Sequence, residues 1–202
     1  MLEKITALSR KYFALPEKVK VTTYDGRAYL NADKETYDVI MVDAYQDITI
    51  PFQMSSVEFF SEVKKHLKPN GVMVVNMNMK SDGEESINAY LSDTIASVFD
   101  QVYTADVKNN TNRELFASDN PQMLDLMAEG VAAEADEELA AMMGTVADAM
   151  TVYEPGDLIL TDDKAPVEVL GMRVIDEIIR DEIGYYKDIF KKDGIQGILQ
   201  VL

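Results

Sequence analysis

Apolar and polar positions follow two periods along the first two-thirds of the chain. Residues 3–13 place Ile5, Leu8 and Tyr12 on one face of a helix. Val19-Lys20-Val21-Thr22-Thr23-Tyr24 is β-rich and predicts a strand closed by Asp25-Gly26, with a short helix through Tyr29 and Leu30 behind it. Tyr37-Asp38-Val39-Ile40-Met41-Val42-Asp43 is nearly all apolar between two acids, the pattern of a central strand buried on both faces. Ser55 or Ser56 suits the cap of a helix over 55–67, with Val57, Phe60, Val63 and Leu67 as its stripe and Pro69-Asn70-Gly71 as its stop. Gly71 to Met77 predicts the next buried strand, and Ile87, Leu91, Ile95 and Val98 predict a helix over 84–98. Gln101 to Val107 and Arg113 to Ser118 flank the turn cluster Asn109-Asn110-Thr111-Asn112, which predicts an antiparallel hairpin. The alternation of strand and helix signals predicts an α/β fold, a parallel sheet flanked by helices.

The last third differs. Residues 121–150 are rich in Ala, Glu and Met and helical by propensity, with the methionines suited to flexible packing. Asp157-Leu158-Ile159-Leu160 is a short apolar run before Thr161-Asp162-Asp163. Pro166 suits the first turn of a long helix with Val167, Leu170, Val174, Ile178 and Ile179 on its core face. A second amphipathic piece surrounds Tyr185, Tyr186, Ile189 and Phe190. Ile195, Ile198, Leu199, Val201 and Leu202 after it are too apolar for a free tail and predict docking or a homodimer. With no internal repeat or low-complexity linker, residues 1–202 are expected to form one α/β domain. Its parts are a sheet core over 1–120, a helical insertion over 121–150, and a C-terminal strand and helices over 157–202.

Composition narrows the function. Thirty-six acids against 19 bases leave a net charge of −17, which disfavours nucleic acid and anionic lipid as partners. The absence of cysteine removes disulfides and thiolate chemistry, and a single histidine excludes a poly-His metal centre. No run of about 18 apolar residues and no signal-peptide core occur, so a cytoplasmic protein without a membrane partner is expected.

Ligands of open parallel sheets gather beyond the carboxyl ends of the strands. Two predicted strands end there in an acid, at Tyr24-Asp25-Gly26 and Val42-Asp43-Ala44. Such an acid accepts from a ribose, an adenine amine or an ammonium, and a glycine after it admits a ligand to the backbone; a helix cap or turn is the bland alternative for each. The loop Asp43-Ala44-Tyr45-Gln46-Asp47-Ile48-Thr49-Ile50-Pro51 supplies two acids and an aromatic, and a carboxylate here could hold an amine and take its proton. His66, beside Lys64, Lys65 and Lys68 late on a helix, suits the carbonyl ends better than catalysis. No glycine-rich phosphate loop is present, and Asp162-Asp163 alone is too little for a metal.

Several runs together resemble the spermidine synthase-like proteins, the polyamine aminopropyltransferases. They are Ser9-Arg10-Lys11-Tyr12-Phe13 with Leu15-Pro16, Asp25-Gly26-Arg27-Ala28-Tyr29-Leu30, and Tyr37 through Ala44. Pro51, Ser55-Ser56-Val57-Glu58-Phe59-Phe60, Leu67 through Asn76, and Leu160-Thr161-Asp162-Asp163-Lys164-Ala165-Pro166-Val167-Glu168 continue the likeness. It spans about residues 5–118 and 157–170. The resemblance implies the Rossmann-like fold of S-adenosylmethionine-dependent methyltransferases. It also implies aminopropyl transfer from decarboxylated S-adenosylmethionine, as co-substrate, to the polyamine precursor putrescine, without a metal. By the same resemblance Asp25 accepts from the adenine amine with Gly26 beside it, Asp43 deprotonates the attacking amine, the Ala44 carbonyl helps to hold it, and Tyr45, Gln46 and Asp47 line the substrate.

Two departures accompany the likeness. The family carries a second acid three residues after the first; here Gln46 stands there, with Asp47 one step later. The family's glycine-rich cofactor loop and first two strands precede the helix holding Arg10-Lys11-Tyr12-Phe13, and Leu2 or Glu3 falls where the acidic strand should end. The fold is thus expected to be incomplete at the N-terminus, either a fragment or a shortened gene product, with weak or no binding of decarboxylated S-adenosylmethionine and impaired transfer. The alternatives are a methyltransferase acting on a small molecule, using S-adenosylmethionine, and a catalytically silent remnant serving as an assembly module.

Overall fold

The computed structural model describes residues 2–45, 50–78, 83, 85–108 and 112–201. The chain divides into two compact units, Met1–Lys34 and Glu35–Leu202. In the first unit, α1 (Leu2–Tyr12) precedes α2 (Gly26–Ala32). Arg10 ties the connection together: its guanidinium donates to the carbonyls of Pro16 and Val19 at 2.9 and 3.2 Å and pairs with Glu17 at 3.4 Å. The strand expected over 19–24 does not form. A β-rich sequence becomes a strand only through a neighbour's ladder of hydrogen bonds. None pairs with 19–24 among the described residues, and Val19, Val21 and Tyr24 are exposed.

The second unit is built on a five-stranded sheet in the order β1-β2-β4-β3-β5. Its strands are β1 (Tyr37–Val42), β2 (Leu67–Met77), β3 (Gln101–Asp106), β4 (Arg113–Ser118) and β5 (Thr151–Val152). Among the described residues only β1 and β2 run parallel; β4 pairs antiparallel with both β2 and β3, and β5 antiparallel with β3. A short connection can return a strand only antiparallel, so the predicted hairpin turns a parallel sheet into a mixed one. Residues 109–111 of its turn lie outside the described residues. The strand expected to be central is instead an edge: β1 pairs with β2 alone among the described residues, and Val39 and Met41 are exposed, Met41 by 73%. Leu67 to Asn70 join β2 and do not extend the preceding helix.

Alternation along β2 divides its two faces. Gly71, Met73, Val75 and Met77 are buried, whereas Val72, Val74 and Asn76 between them are half-buried on the other side. The buried side meets α3 (Val57–Lys65) and α4 (Ile87–Ala96), whose Phe59, Phe60, Val63, Leu91 and Ile95 complete the core. Ser56 caps α3 by accepting from Phe59 N at 3.2 Å, and Ser86 caps α4 by accepting from Ala89 N at 3.1 Å. The segment 121–150 forms α5 (Met123–Ala133) and α6 (Glu137–Ala149), the latter capped by Asp136.

No strand forms over 157–160; that segment is fastened by side chains. Buried Asp93 on α4 accepts from the Tyr153 hydroxyl and from the backbone N–H groups of Gly156 and Leu158, at 2.6, 2.7 and 2.9 Å. Thr94 accepts from Leu160 N at 2.9 Å, and Ser56 donates to Asp162 at 2.5 Å. With its backbone groups met in this way the run has no need of a ladder. The long helix α7 (Val167–Val201) follows, broken at Gly194, where φ is 65°. Val167, Leu170 and Val174 are buried, but Ile179 is exposed, because the core ends before that turn. The Ile178 side chain and Leu202 lie outside what the structure describes. No helix among the described residues is long and apolar enough to cross a membrane.

Candidate functional site

Chemistry-bearing side chains of the second unit gather where β1 and β2 end and β4 begins. Asp43 follows the last residue of β1, whose Val42 lies beside Val75 of β2. The next residue of β2 is Asn76, and its amide Nδ2 donates to Asp43 Oδ1 at 3.1 Å. Asn112 Nδ2 in turn donates to Asn76 Oδ1 at 2.9 Å, which fixes the orientation of the Asn76 amide. Tyr45 lies across the same strand end. Its hydroxyl donates to the Asn76 carbonyl and accepts from Asn78 N at 2.7 Å. The loop after Asp43 is therefore tied to the strand by a phenol and an amide, and Ala44 between them is half-buried.

The local field is negative. Burial pushes the Tyr45 phenol up to about 12, with Asp43 and Glu114 adding to the shift and the Asn78 N–H opposing it. Glu114, directly opposite Asn76 in the β2–β4 ladder, is also raised, first by burial and then by Asp43. A phenol that stays protonated beside two carboxylates suits an amine or ammonium ligand, which the carboxylates attract and the phenol oxygen can orient.

Asp25 and Gly26 belong to the first unit. Asp25 caps α2, its Oδ1 accepting from Ala28 N at 2.8 Å, and it is exposed. The cap uses one oxygen of a carboxylate that has two, so an adenine amine has an acceptor left to bond. Gln46 and Asp47 lie outside the described residues. His66 is buried at the C-terminal end of α3, its Nδ1 2.9 Å from the Glu62 carbonyl, a structural place in keeping with its sequence setting. Asp162 accepts from Ser56 and its N–H donates to Glu58 at 3.0 Å. No group of three His, Cys, Asp or Glu among the described residues could hold a metal.

A family model described as the spermine/spermidine synthase domain matches residues 3–109, more than half of the chain. The chain belongs to the spermine/spermidine synthase family. A curated relative from Bifidobacterium longum (strain NCC 2705), named a probable polyamine aminopropyl transferase, is 55% identical over 99% of this chain and 49% of its own length. The chain therefore spans about half of that relative. Among solved structures, a probable spermidine synthase from Corynebacterium glutamicum shares the fold with a TM-score of 0.52 at 22% identity, over 77% of this chain and 61% of that one. Human methyltransferase-like protein 13, solved in complex with SAH, gives a TM-score of 0.52 at 21% identity, over 73% and 67%. Synthases and methyltransferases with a Rossmann-like sheet are thus both fold neighbours, as the family resemblance implied.

Within this family member, three residues of the cluster were not singled out as site residues from sequence. Asn76 carried a signal: it is the one amide in the otherwise apolar run 71–77, and it stands at the end of the strand where ligands collect. In the sequence Asn112 reads only as a turn residue. Glu114 gave no sign, because its place beside Asn76 depends on the strand register, which only the pairing of β2 with β4 reveals.

Proposed function

We propose that this chain supplies the amine-binding part of a site for aminopropyl transfer from decarboxylated S-adenosylmethionine to putrescine. The observation that carries the proposal is the hold of Asn76 on Asp43 at the ends of β1 and β2, 3.1 Å apart, with Tyr45 anchored beside them. Family membership and the name of the 55%-identical relative support the same chemistry.

The amine must reach the reacting carbon with its lone pair free. In the proposed role Asp43 receives the incoming ammonium and takes the proton that it sheds. The amine nitrogen then bonds to the methylene carbon attached to the sulfonium. The carbon–sulfur bond breaks toward sulfur, and methylthioadenosine leaves as a neutral thioether. Asp43 near the reacting centre also stabilises the positive charge that passes to nitrogen. The Ala44 carbonyl and Tyr45 orient the amine, and the family resemblance gives Gln46 and Asp47 a substrate-binding role and Asp25 and Gly26 a role at the adenine.

A double-label assay tests this. Aminopropyl label moving from decarboxylated S-adenosylmethionine to putrescine, and lost in D43N, is the expected result. Methyl label moving from S-adenosylmethionine instead would make the chain a methyltransferase, the reading favoured by the methyltransferase-like fold neighbour. No transfer of either label would leave the assembly-module reading. Calorimetric titration with decarboxylated S-adenosylmethionine measures how much of the site this chain holds by itself; binding weaker than micromolar is expected.

A homodimer belongs to the same proposal. Ile183, Tyr185, Phe190, Ile195 and Leu199 on the second half of α7 are exposed, and a cluster of that size favours a partner. A strict monomer in sedimentation velocity would overturn it. A cytoplasmic setting suits a chain without cysteine.

A further inference from the structure

Three side chains form a row across three neighbouring strands. Val42 of β1 lies beside Val75 of β2, which brings the next residues, Asp43 and Asn76, together. Asn76 lies directly opposite Glu114 of β4, and residues paired across a ladder project to the same face. Asp43, Asn76 and Glu114 therefore stand in line, with the two acids on either side of the amide. With strands about 4.8 Å apart, the Cα atoms of the two acids are separated by about 10 Å.

Their surroundings differ in one respect. Asp43 is held by the Asn76 amide. Glu114 is half-buried, yet among the described residues no hydrogen bond or ion pair is made to its carboxylate. Its sequence neighbour Arg113 is engaged elsewhere, with Asp106 at 2.6 Å. A half-buried carboxylate without a cation, close enough to a second acid for the two to repel, is costly unless a positive group comes between or beside them. The burial that raises its proton affinity expresses the same cost.

We propose that Glu114 holds the second ammonium of a short diamine whose reacting amine lies at Asp43, and so selects diamines over monoamines. This role rests on the amine site proposed above. Side chains reaching inward from positions about 10 Å apart leave a gap that a four-carbon diamine bridges, and the Asn76 amide forms the floor between its ends. The chain carries Gln46 where its family has a second acid, and in this role Glu114 supplies a second charge from β4, opposite Asn76.

Amine binding to the full chain, followed by calorimetry with 1,4-diaminobutane and with butylamine, tests the assignment. The wild-type protein is expected to bind the diamine about tenfold more tightly, the scale of one charge-assisted hydrogen bond. E114Q should bring the diamine down to the level of butylamine and leave butylamine unchanged, which also shows that the variant is folded. E114D, which keeps the charge on a shorter stem, should retain part of the preference. D43N should weaken both amines. If E114Q weakens both amines equally, or leaves the diamine unaffected while D43N weakens it, Glu114 has no such role although the amine site stands. If the wild-type chain binds neither amine, or D43N changes neither, the amine site itself is overturned, and the role of Glu114 with it.

Discussion

The Asn76 side-chain amide donates to Asp43 Oδ1 at 3.1 Å while its own oxygen accepts from Asn112 at 2.9 Å. One amide therefore links the acid after β1 to the residue that leads into β4. An amide in this position can rotate freely in principle, but with both ends bonded only one orientation satisfies them. Asp43 is exposed, so its aim depends on this bond more than on packing.

N76A is expected to release that aim with little harm to the fold. The Tyr45 hydroxyl bonds to the Asn76 main-chain carbonyl, which the substitution leaves in place. A stability loss of roughly 1 kcal/mol, from hydrogen bonds that water partly replaces, should accompany an amine affinity about tenfold weaker. Denaturant unfolding and calorimetry measure the two. An equal affinity in N76A and wild type would show that Asp43 does not depend on the amide.

Tyr45 makes stability fall at alkaline pH. Its phenol is raised from 10.0 to about 12 in the folded chain, first by burial. The folded state thus keeps a proton that the unfolded state releases, and stability falls as pH rises from about 10 through 12. Tyr153, raised by burial and by its bond to Asp93, contributes in the same direction. Y45F removes one of these protons, so its unfolding free energy should fall less steeply over that window. Urea titrations at a series of pH values compare the slopes, and parallel curves would contradict the assignment.

Asp25 combines a cap with a proposed ligand contact, and two substitutions separate them. D25A should cost about 1 kcal/mol as the bond to Ala28 N is lost. D25S keeps a capping oxygen and should leave stability nearly unchanged. Both should lose binding of methylthioadenosine, observed by ligand NMR. If D25S binds the nucleoside as wild type does, Asp25 is a cap alone.

Buried Asp93 and exposed Gly156 form a latch. A Cβ on Gly156 would lie 2.7 Å from Asp93 Oδ2, so G156A must displace either the carboxylate or the 153–158 backbone. A loss of about 1–3 kcal/mol is expected, typical of overpacking. D93A leaves the Tyr153 hydroxyl and two backbone N–H groups without their acceptor, and its cost should be larger, about 3 kcal/mol or more. Thermal unfolding ranks the pair; a D93A protein as stable as wild type would show that water serves the donors equally well.

Local signals were legible wherever a segment settles its own structure. The spacing of Phe60 and Val63, the cap at Ser56 and the apolar run through Val75 each correspond to an element, although β2 begins at Leu67 and not at Gly71. What depends on a neighbour was not legible. Val19 to Tyr24 has strand composition but no ladder, and Val39 and Met41 look like core residues yet occupy an edge. The same limit applies to the site. Asp43 and Tyr45 are adjacent in sequence to the strand end that marks them, whereas Asn112 and Glu114 reach it only through the antiparallel register of β4 on β2.

The two faces of β2 have an evolutionary consequence. Odd-numbered positions from Gly71 to Met77 serve packing, and the even-numbered ones lead to Asn76 and the chemistry around it. Selection can therefore retune the ligand on one parity while the other keeps the core unchanged. Point substitutions at 74 and 76 are tolerable experiments for a lineage. A single-residue insertion or deletion within the strand is not, because it would exchange the two sets at once, sending the amide into the core and a methionine among the acids.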